Sequence, residues 1–210
     1  MVIGILLIII SYLLGSIPFG LIIGKTAGKD LRKSGSGNIG STNAVRTLGW
    51  KLGLLSAVCD ITKGTIIIIL VHILEATTSW SNPFVFNGDS LYALYGIAAV
   101  VGHCFPIFLK FKGGKAVATS LGVLFATVPW SALVALVVFL IVLLLTGFVS
   151  LGSTFATIGA CIAAFAIYSD NVYSCIVISL LAILIFIKHI PNYKRLINKT
   201  EHSFKKKKSI

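Results

Sequence analysis

Three short stretches of this sequence collect residue types that bind oxyanions. The first is Gly35-Ser36-Gly37-Asn38-Ile39-Gly40-Ser41-Thr42-Asn43, with Arg46 close behind it. Its glycines let a backbone turn so that several N–H groups converge, while the Ser, Asn and Thr side chains add neutral donors. A Gly/Ser/Asn run is equally an ordinary flexible turn. Arg46 shifts the reading towards phosphate, because a guanidinium grips two phosphate oxygens in a fork. The second stretch is Gly102-His103, Pro106 and Phe111-Lys112-Gly113-Gly114-Lys115-Ala116-Val117-Ala118-Thr119. A glycine pair between two lysines opens an apolar helix here, so amides and the positive end of the helix dipole face the same water layer as Lys115. On its own, His103 reads as a hydrogen-bonded structural histidine. The third group is His189, Pro191, Asn192, Arg195 and Glu201. His189, Asn192 and Arg195 are spaced by three and share a face if the helix continues through Pro191, a point the sequence leaves open.

Several chemistries are excluded by what these stretches lack. Gly113-Gly114-Lys115 is not a nucleotide-binding P-loop: the earlier glycine is absent at the required spacing, and Ala116 stands where a Ser or Thr would hold magnesium. The four cysteines, Cys59, Cys104, Cys161 and Cys175, sit singly in apolar context, without zinc or redox spacing. Carboxylates near the three stretches are only Asp30, Asp60 and Glu201, too few for a magnesium site and well suited to a substrate that brings its own negative charge. Asp60 and Lys63, three apart in an otherwise apolar segment, read as a structural ion pair.

The elements that must position these residues are membrane helices. Of 210 residues, 57% are hydrophobic and 11% charged, which rules out a water-soluble globule. Apolar segments lie near 2–23, 52–74, 91–109, 116–128, 131–148, 150–168 and 172–188, and all but the short 116–128 piece approach the roughly twenty residues that cross a bilayer. The first segment lacks a basic start and a cleavage site, so it reads as a retained span. All 18 Lys and Arg residues fall at 25–63, 110–115 or 188–208, whereas Glu75, Asp89 and Asp170 mark the opposite side. Basic loops stay in the cytoplasm. Placing 110–115 and the tail on one side requires an even number of crossings between them, so four fits and three does not. The expectation is an all-α integral membrane protein of seven transmembrane helices, N-terminus outside and C-terminus cytoplasmic. Residues 1–210 form a single membrane-embedded domain, with a short basic tail at about 198–210 that touches anionic headgroups. A net charge of +12 does not indicate nucleic acid, because the cations lie in short loops and no soluble domain shapes a groove.

With these residues in place, the chain resembles the bacterial acyl-phosphate:glycerol-3-phosphate 1-O-acyltransferases. The resemblance runs from Leu14-Gly15-Ser16-Ile17-Pro18 through GSGNIGSTN and Arg46, Asp60-Ile61-Thr62-Lys63-Gly64, Gly102-His103 and FKGGKAVAT to His189, Asn192 and Glu201. It implies acyl transfer from acyl phosphate to glycerol 3-phosphate at the cytoplasmic face of a bacterial cell membrane, without cofactor or metal. It also implies that Ser36, Arg46, Lys115, His189 and Asn192 do the chemistry. Gly35, Gly37, Asn38, Gly40, Thr42, Asn43, His103, Gly113, Gly114 and Glu201 then shape the substrate site, and the enzyme that makes acyl phosphate is an expected partner. The family commonly carries a glycine two positions before the glutamate, where this chain has Lys199. The rival reading is a transporter of small anions or lipid, which also exposes cationic loops. Transporters, however, place polar breaks near the midplane, and here the polar clusters sit at segment ends.

Overall fold

A computed structural model describes residues 1–86 and 89–204. The basic tail at 205–210 and the Asn87–Gly88 part of the expected outer turn lie outside the described residues. The chain forms two compact units, Met1–Thr127 and Val128–Ile210.

The first unit contains α1 (Val2–Gly15), α2 (Phe19–Thr26), α3 (Ser41–Leu48), α4 (Trp50–Thr77), α5 (Ala93–Cys104) and α6 (Val117–Thr127). The segment expected as one span at 2–23 is broken at Ser16–Pro18. Proline has no N–H to continue the ladder, and Ser16 and Ile17 close the first helix by donating to carbonyls of Tyr12 and Leu14. A helix of 28 residues, α4 is roughly 42 Å long, more than a hydrocarbon core about 30 Å thick requires. At 11 residues and roughly 16 Å, α6 reaches about half that thickness, as the shortness of 116–128 implies. By length and composition, five helical segments among the described residues can cross a membrane, and two shorter apolar ones, Ala93–Leu109 and Val117–Thr127, accompany them.

Small residues let these helices approach without a hydrophobic driving force between them. Packing of α4 on α6 brings Gly64 against the Thr119 carbonyl and Gly122 against the Ile61 carbonyl, so that a Cβ at either glycine would overlap backbone. Gly15 and Gly102 do the same between α1 and α5. On the expected outer side, Glu75 accepts from the Asn82 amide at 3.0 Å and from the Tyr92 hydroxyl, while the Tyr95 hydroxyl donates to Asn82 Oδ1 at 2.9 Å. A two-residue antiparallel pair, β1 (Val85–Phe86) with β2 (Asp89–Ser90), is the one strand pairing among the described residues.

The second unit comprises α7 (Pro129–Thr146), α8 (Val149–Ile167) and α9 (Val172–Ile197), with α8 packed against both neighbours. The buried positions of α8 are small, including Gly152, Ala156, Ala160 and Ala164, while Phe155, Ile162 and Phe165 of the same helix point outward. Exposed aromatic and aliphatic side chains around a small-residue interior are what lipid solvent requires. A Gly147 in left-handed conformation, φ 78°, turns α7 into α8. Far beyond the apolar stretch, α9 runs on through Pro191, which settles the point the sequence left open.

Replacing Gly64 or Gly122 with valine is expected to destabilise the first unit by about 1–3 kcal/mol through overpacking, while lipid-facing Ile69→Val stays within about 0.5 kcal/mol. Thermal unfolding in detergent checks this. Wild-type midpoints for both glycine variants would refute the close α4–α6 approach.

Candidate active site

The Ser36 loop is held from inside by Asn43, which is 1% exposed. Its Nδ2 donates to the carbonyls of Leu31, Ser34 and Asn38 at 3.0, 3.0 and 2.8 Å, and its Oδ1 accepts from the Ser36 amide at 2.9 Å. Gly35 and Gly37 take φ of 59° and 71° to make the turn, and a Cβ on Gly35 would overlap Asn43 Oδ1. The Gly37 amide donates to the Ser34 carbonyl at 3.1 Å and the Gly40 amide to Asn38 Oδ1 at 2.8 Å. This corrects the expectation of convergent loop amides: the N–H groups of Ser36, Gly37 and Gly40 close internal turns. The loop therefore presents side chains, with Ser36 and Thr42 half-buried and Arg46 one turn further along α3. Lys29 caps that helix by donating to the Thr47 carbonyl at 2.7 Å. Nearby, Asp30 accepts from Arg32 at 2.7 Å, and the side-chain and backbone hydrogen bonds from Arg32 hold its pKa down to about 2.

The glycine–lysine loop rests on the end of α5. The Gly114 amide donates to the His103 carbonyl at 3.0 Å, and a Cβ on Gly114 would overlap the His103 imidazole, so the ring fills the space beneath the loop. A Cβ on Gly113 would meet the His103 carbonyl and Pro106. Three non-glycine positions around it are left-handed: Lys110 at φ 51°, Phe111 at 61° and Ala116 at 73°. Each costs on the order of 1 kcal/mol, a strain that the surrounding contacts must offset. A small core of Leu21, Leu31, Ile39 and Ala44 includes Leu48 and Leu109 at its edge, so the Ser36 loop and the approach to Lys115 share one hydrophobic support.

In the second unit, continuation through Pro191 puts His189 and Asn192 on the buried face of α9, with Arg195 half-buried beyond them. His189 Nδ1 lies 2.8 Å from the Ile185 carbonyl, and because a carbonyl only accepts, Nδ1 carries a proton and Nε2 holds the lone pair in the neutral ring. Asn192 Nδ2 and Arg195 Nε both donate to Glu201, each at 2.7 Å. Glu201 can reach back because the chain reverses after α9: the Thr200 amide donates to the Arg195 carbonyl at 2.8 Å and the Lys199 amide to Leu196 at 3.1 Å. This Schellman pattern needs a left-handed residue after the cap, the place of the family glycine, and Lys199 occupies it at φ 57°. The turn forms despite the substitution. Beyond it, the Phe204 amide donates to the Gly147 carbonyl at 2.9 Å, anchoring the tail to the α7–α8 turn. Burial opposes ionisation of Glu201, but the hydrogen bonds from Asn192 and Arg195 win and hold its carboxyl below the ordinary 4.5.

Sequence reading missed two groups in this unit. The Tyr193 hydroxyl lies 3.0 Å from Thr154 Oγ1, and its ring is 6.2 Å from His189. Position i+4 from His189 on a continuous helix was the available signal for Tyr193; Thr154 carries none.

Comparison with known proteins places this geometry. The glycerol-3-phosphate acyltransferase family matches residues 5–199. The glycerol-3-phosphate acyltransferase of Bacillus subtilis is 48% identical over 201 residues, covering 95% of this chain and 97% of the relative. That of Desulfotalea psychrophila is 45% identical over 199 residues, covering 95% and 97%. The crystal structure of PlsY, an integral membrane glycerol 3-phosphate acyltransferase, in its glycerol 3-phosphate form superposes with a TM-score of 0.85 at 40% identity, covering 96% of each chain. Its lysophosphatidic acid form gives 0.83 at 39%, covering 96% and 95%.

The depressed Glu201 pKa sets a pH dependence. Stability from the ionised carboxylate is fully present above the ordinary value of 4.5 and is lost as pH falls through the lower folded value. Wild type should therefore lose thermal stability more steeply than Glu201→Gln as pH drops below 4.5. Equal slopes in a melting series across that range would show that the clasp contributes nothing.

Proposed function

The chain belongs to the glycerol-3-phosphate acyltransferase family, and from that premise we propose that it moves a fatty acyl group from acyl phosphate to the 1-hydroxyl of sn-glycerol 3-phosphate. The hydroxyl oxygen bonds to the acyl carbonyl carbon, the carbon–oxygen bond to phosphate breaks, and lysophosphatidate and inorganic phosphate leave. The observation that carries this reading is the pair of cation-bearing loops in the first unit, Ser36–Arg46 on the core of Leu21, Leu31, Ile39 and Ala44 and Gly113–Lys115 on His103. Two phosphate-bearing substrates suit two such loops.

Acyl phosphate is an activated mixed anhydride, so the chemistry asks mainly for positioning and for stabilisation of charge on the tetrahedral oxygen and the departing phosphate. Lys115 and Arg46 supply cations, and Ser36 donates a hydrogen bond. The family resemblance also gives His189 and Asn192 a part in substrate contact, and Glu201 accepts from the Asn192 amide. The hydroxyl proton passes to a phosphate oxygen, so no side-chain base is required. The acyl chain lies among the helices. Seven apolar helical segments support seven crossings with the N-terminus outside. The loops then face the cytoplasm of a bacterial cell, where the enzyme that makes acyl phosphate delivers the donor. Membership in an acyltransferase family, together with loops at helix ends, disfavours the transporter.

Orientation is tested with Ser81→Cys and Ser203→Cys in a background freed of native cysteines; both positions are exposed. The first should react with an impermeant maleimide from outside, the second only after the membrane is opened. Reaction from the same side would refute an odd number of crossings.

Direct transfer predicts that Ser36→Ala, assayed with chelator present, loses about a hundred- to a thousandfold in rate, the effect of removing one oxyanion donor. A serine nucleophile would instead need a base at hand and a residue between it and each flanking glycine, whereas Gly35 and Gly37 adjoin Ser36. Mass spectrometry of protein quenched with acyl phosphate alone decides between them. Stoichiometric acyl-Ser36 that disappears on adding glycerol 3-phosphate would overturn direct attack.

A further inference from the structure

Beneath the two loops of the first unit lies a buried charged group to which the proposed transfer assigns no chemical step. Asp60, Lys63 and His103 are 2%, 2% and 6% exposed. Lys63 Nζ sits 2.9 Å from Asp60 Oδ1 and donates to the Ile17 carbonyl at 3.1 Å, with the Phe19 ring centroid 5.7 Å away. His103 Nδ1 faces the same Asp60 oxygen at 3.6 Å, beyond hydrogen-bond reach, so the contact is electrostatic. We propose that Asp60, Lys63 and His103 are positioning residues that fix the Gly113–Gly114–Lys115 loop and couple it to the Ser36 loop.

The coupling follows the contacts outward from Asp60. The carboxylate favours the imidazole tautomer with its proton on Nδ1, which holds the ring plane. That ring occupies the place of a Gly114 side chain, and the backbone of the same histidine accepts from the Gly114 amide, so ring and carbonyl together set the loop. In the other direction, Lys63 grips the Ile17 carbonyl at the break between α1 and α2. Three residues on, Gly20 lies against the Ile39 carbonyl and Ser56 Oγ, so α2 enters in direct contact with the Ser36 loop. An ion pair with near-zero net charge attracts no substrate. Nor is it needed for stability, since apolar residues of similar volume often replace a buried pair without loss. What such a pair supplies and an apolar pair does not is a fixed direction for His103 and for the Ile17 carbonyl.

This inference rests on the acyltransferase reading only for its choice of substrate, so the test has one arm that needs no substrate. The double variant Asp60→Asn/Lys63→Met removes both charges and nearly keeps the volumes, and His103→Gln removes the ring while leaving the ion pair. Each is made in the full chain and purified in detergent. Amide exchange across residues 113–116 should quicken at least tenfold in both, while the KM for glycerol 3-phosphate rises by about ten- to a hundredfold and thermal midpoints hold. Restoring Lys63 as Lys63→Arg beside native Asp60 should return both readouts towards wild type, because the charge and the tether to Ile17 survive. Wild-type exchange and KM in a folded double variant or a folded His103→Gln would overturn the proposal, reducing the trio to packing. If the double variant fails to fold, His103→Gln alone decides by the same readouts; if both fail to fold, the trio is structural and the proposal is overturned. Fast exchange with no acyl transfer even in wild type would instead fault the substrate assignment and leave the loop coupling standing.

Discussion

A carboxylate as buried as Asp60, inside a helix long enough to span a bilayer, must be neutralised where it stands, and Lys63 does so one helical turn away. Breaking such a pair costs several kcal/mol, because the partner is left charged in a medium that cannot solvate it. That constraint propagates. Lys63 can reach the Ile17 carbonyl because Pro18 ends α1, and His103 approaches the same carboxylate because Gly102 lets α5 close on α1. The helix geometry of the first unit is thus organised around one pair of charges, and the loops at its end inherit their positions from it.

Both loops solve one problem by different means. A loop that offers side chains to an anion must satisfy its own backbone without turning outward. In the Ser36 loop a single buried amide, Asn43, serves as an internal scaffold that replaces a strand or helix partner. The glycine–lysine loop instead turns its amides onto the carbonyls of Pro106, Leu109 and His103 and accepts left-handed backbone at Lys110, Phe111 and Ala116. Strain of this kind persists where neighbouring contacts over-determine the conformation. The second unit shows it again at Lys199, where the reward is that Glu201 reaches Asn192 and Arg195.

Segment limits were legible in the sequence because lipid imposes a hydropathy contrast that few other environments impose; the apolar runs and the observed helices agree within a few residues except at the two prolines. Pro18 breaks its helix and Pro191 does not. The difference is local: Pro18 follows Ser16 and Ile17, which close α1 with their own amides, whereas Pro191 sits on the exposed side of α9. Composition alone carries no such information. The inward turn of the Ser36-loop amides was equally hidden, since Asn43 as scaffold and Asn43 as ligand contact have the same spacing. At Lys199 the family glycine pointed correctly to a left-handed turn, but not to the tolerance of a lysine there.

The arrangement also bears on how a chain of 210 residues, 57% of them hydrophobic, can accommodate catalysis. A reaction that needed a strong base, a covalent nucleophile or a bound metal would demand several titratable groups at tuned pKa, and each would have to be desolvated beside a membrane at considerable cost. Transfer from an already activated acyl donor removes that demand. In the transfer proposed above, what remains is the placement of two anions and a carbonyl, a task for neutral amides, a hydroxyl and a few fixed cations. Those groups need rigid supports more than perturbed acidity. Buried polarity at Asp60, Asn43 and Glu201 goes into holding loops, whereas Arg46 and Lys115 on those loops are only half-buried.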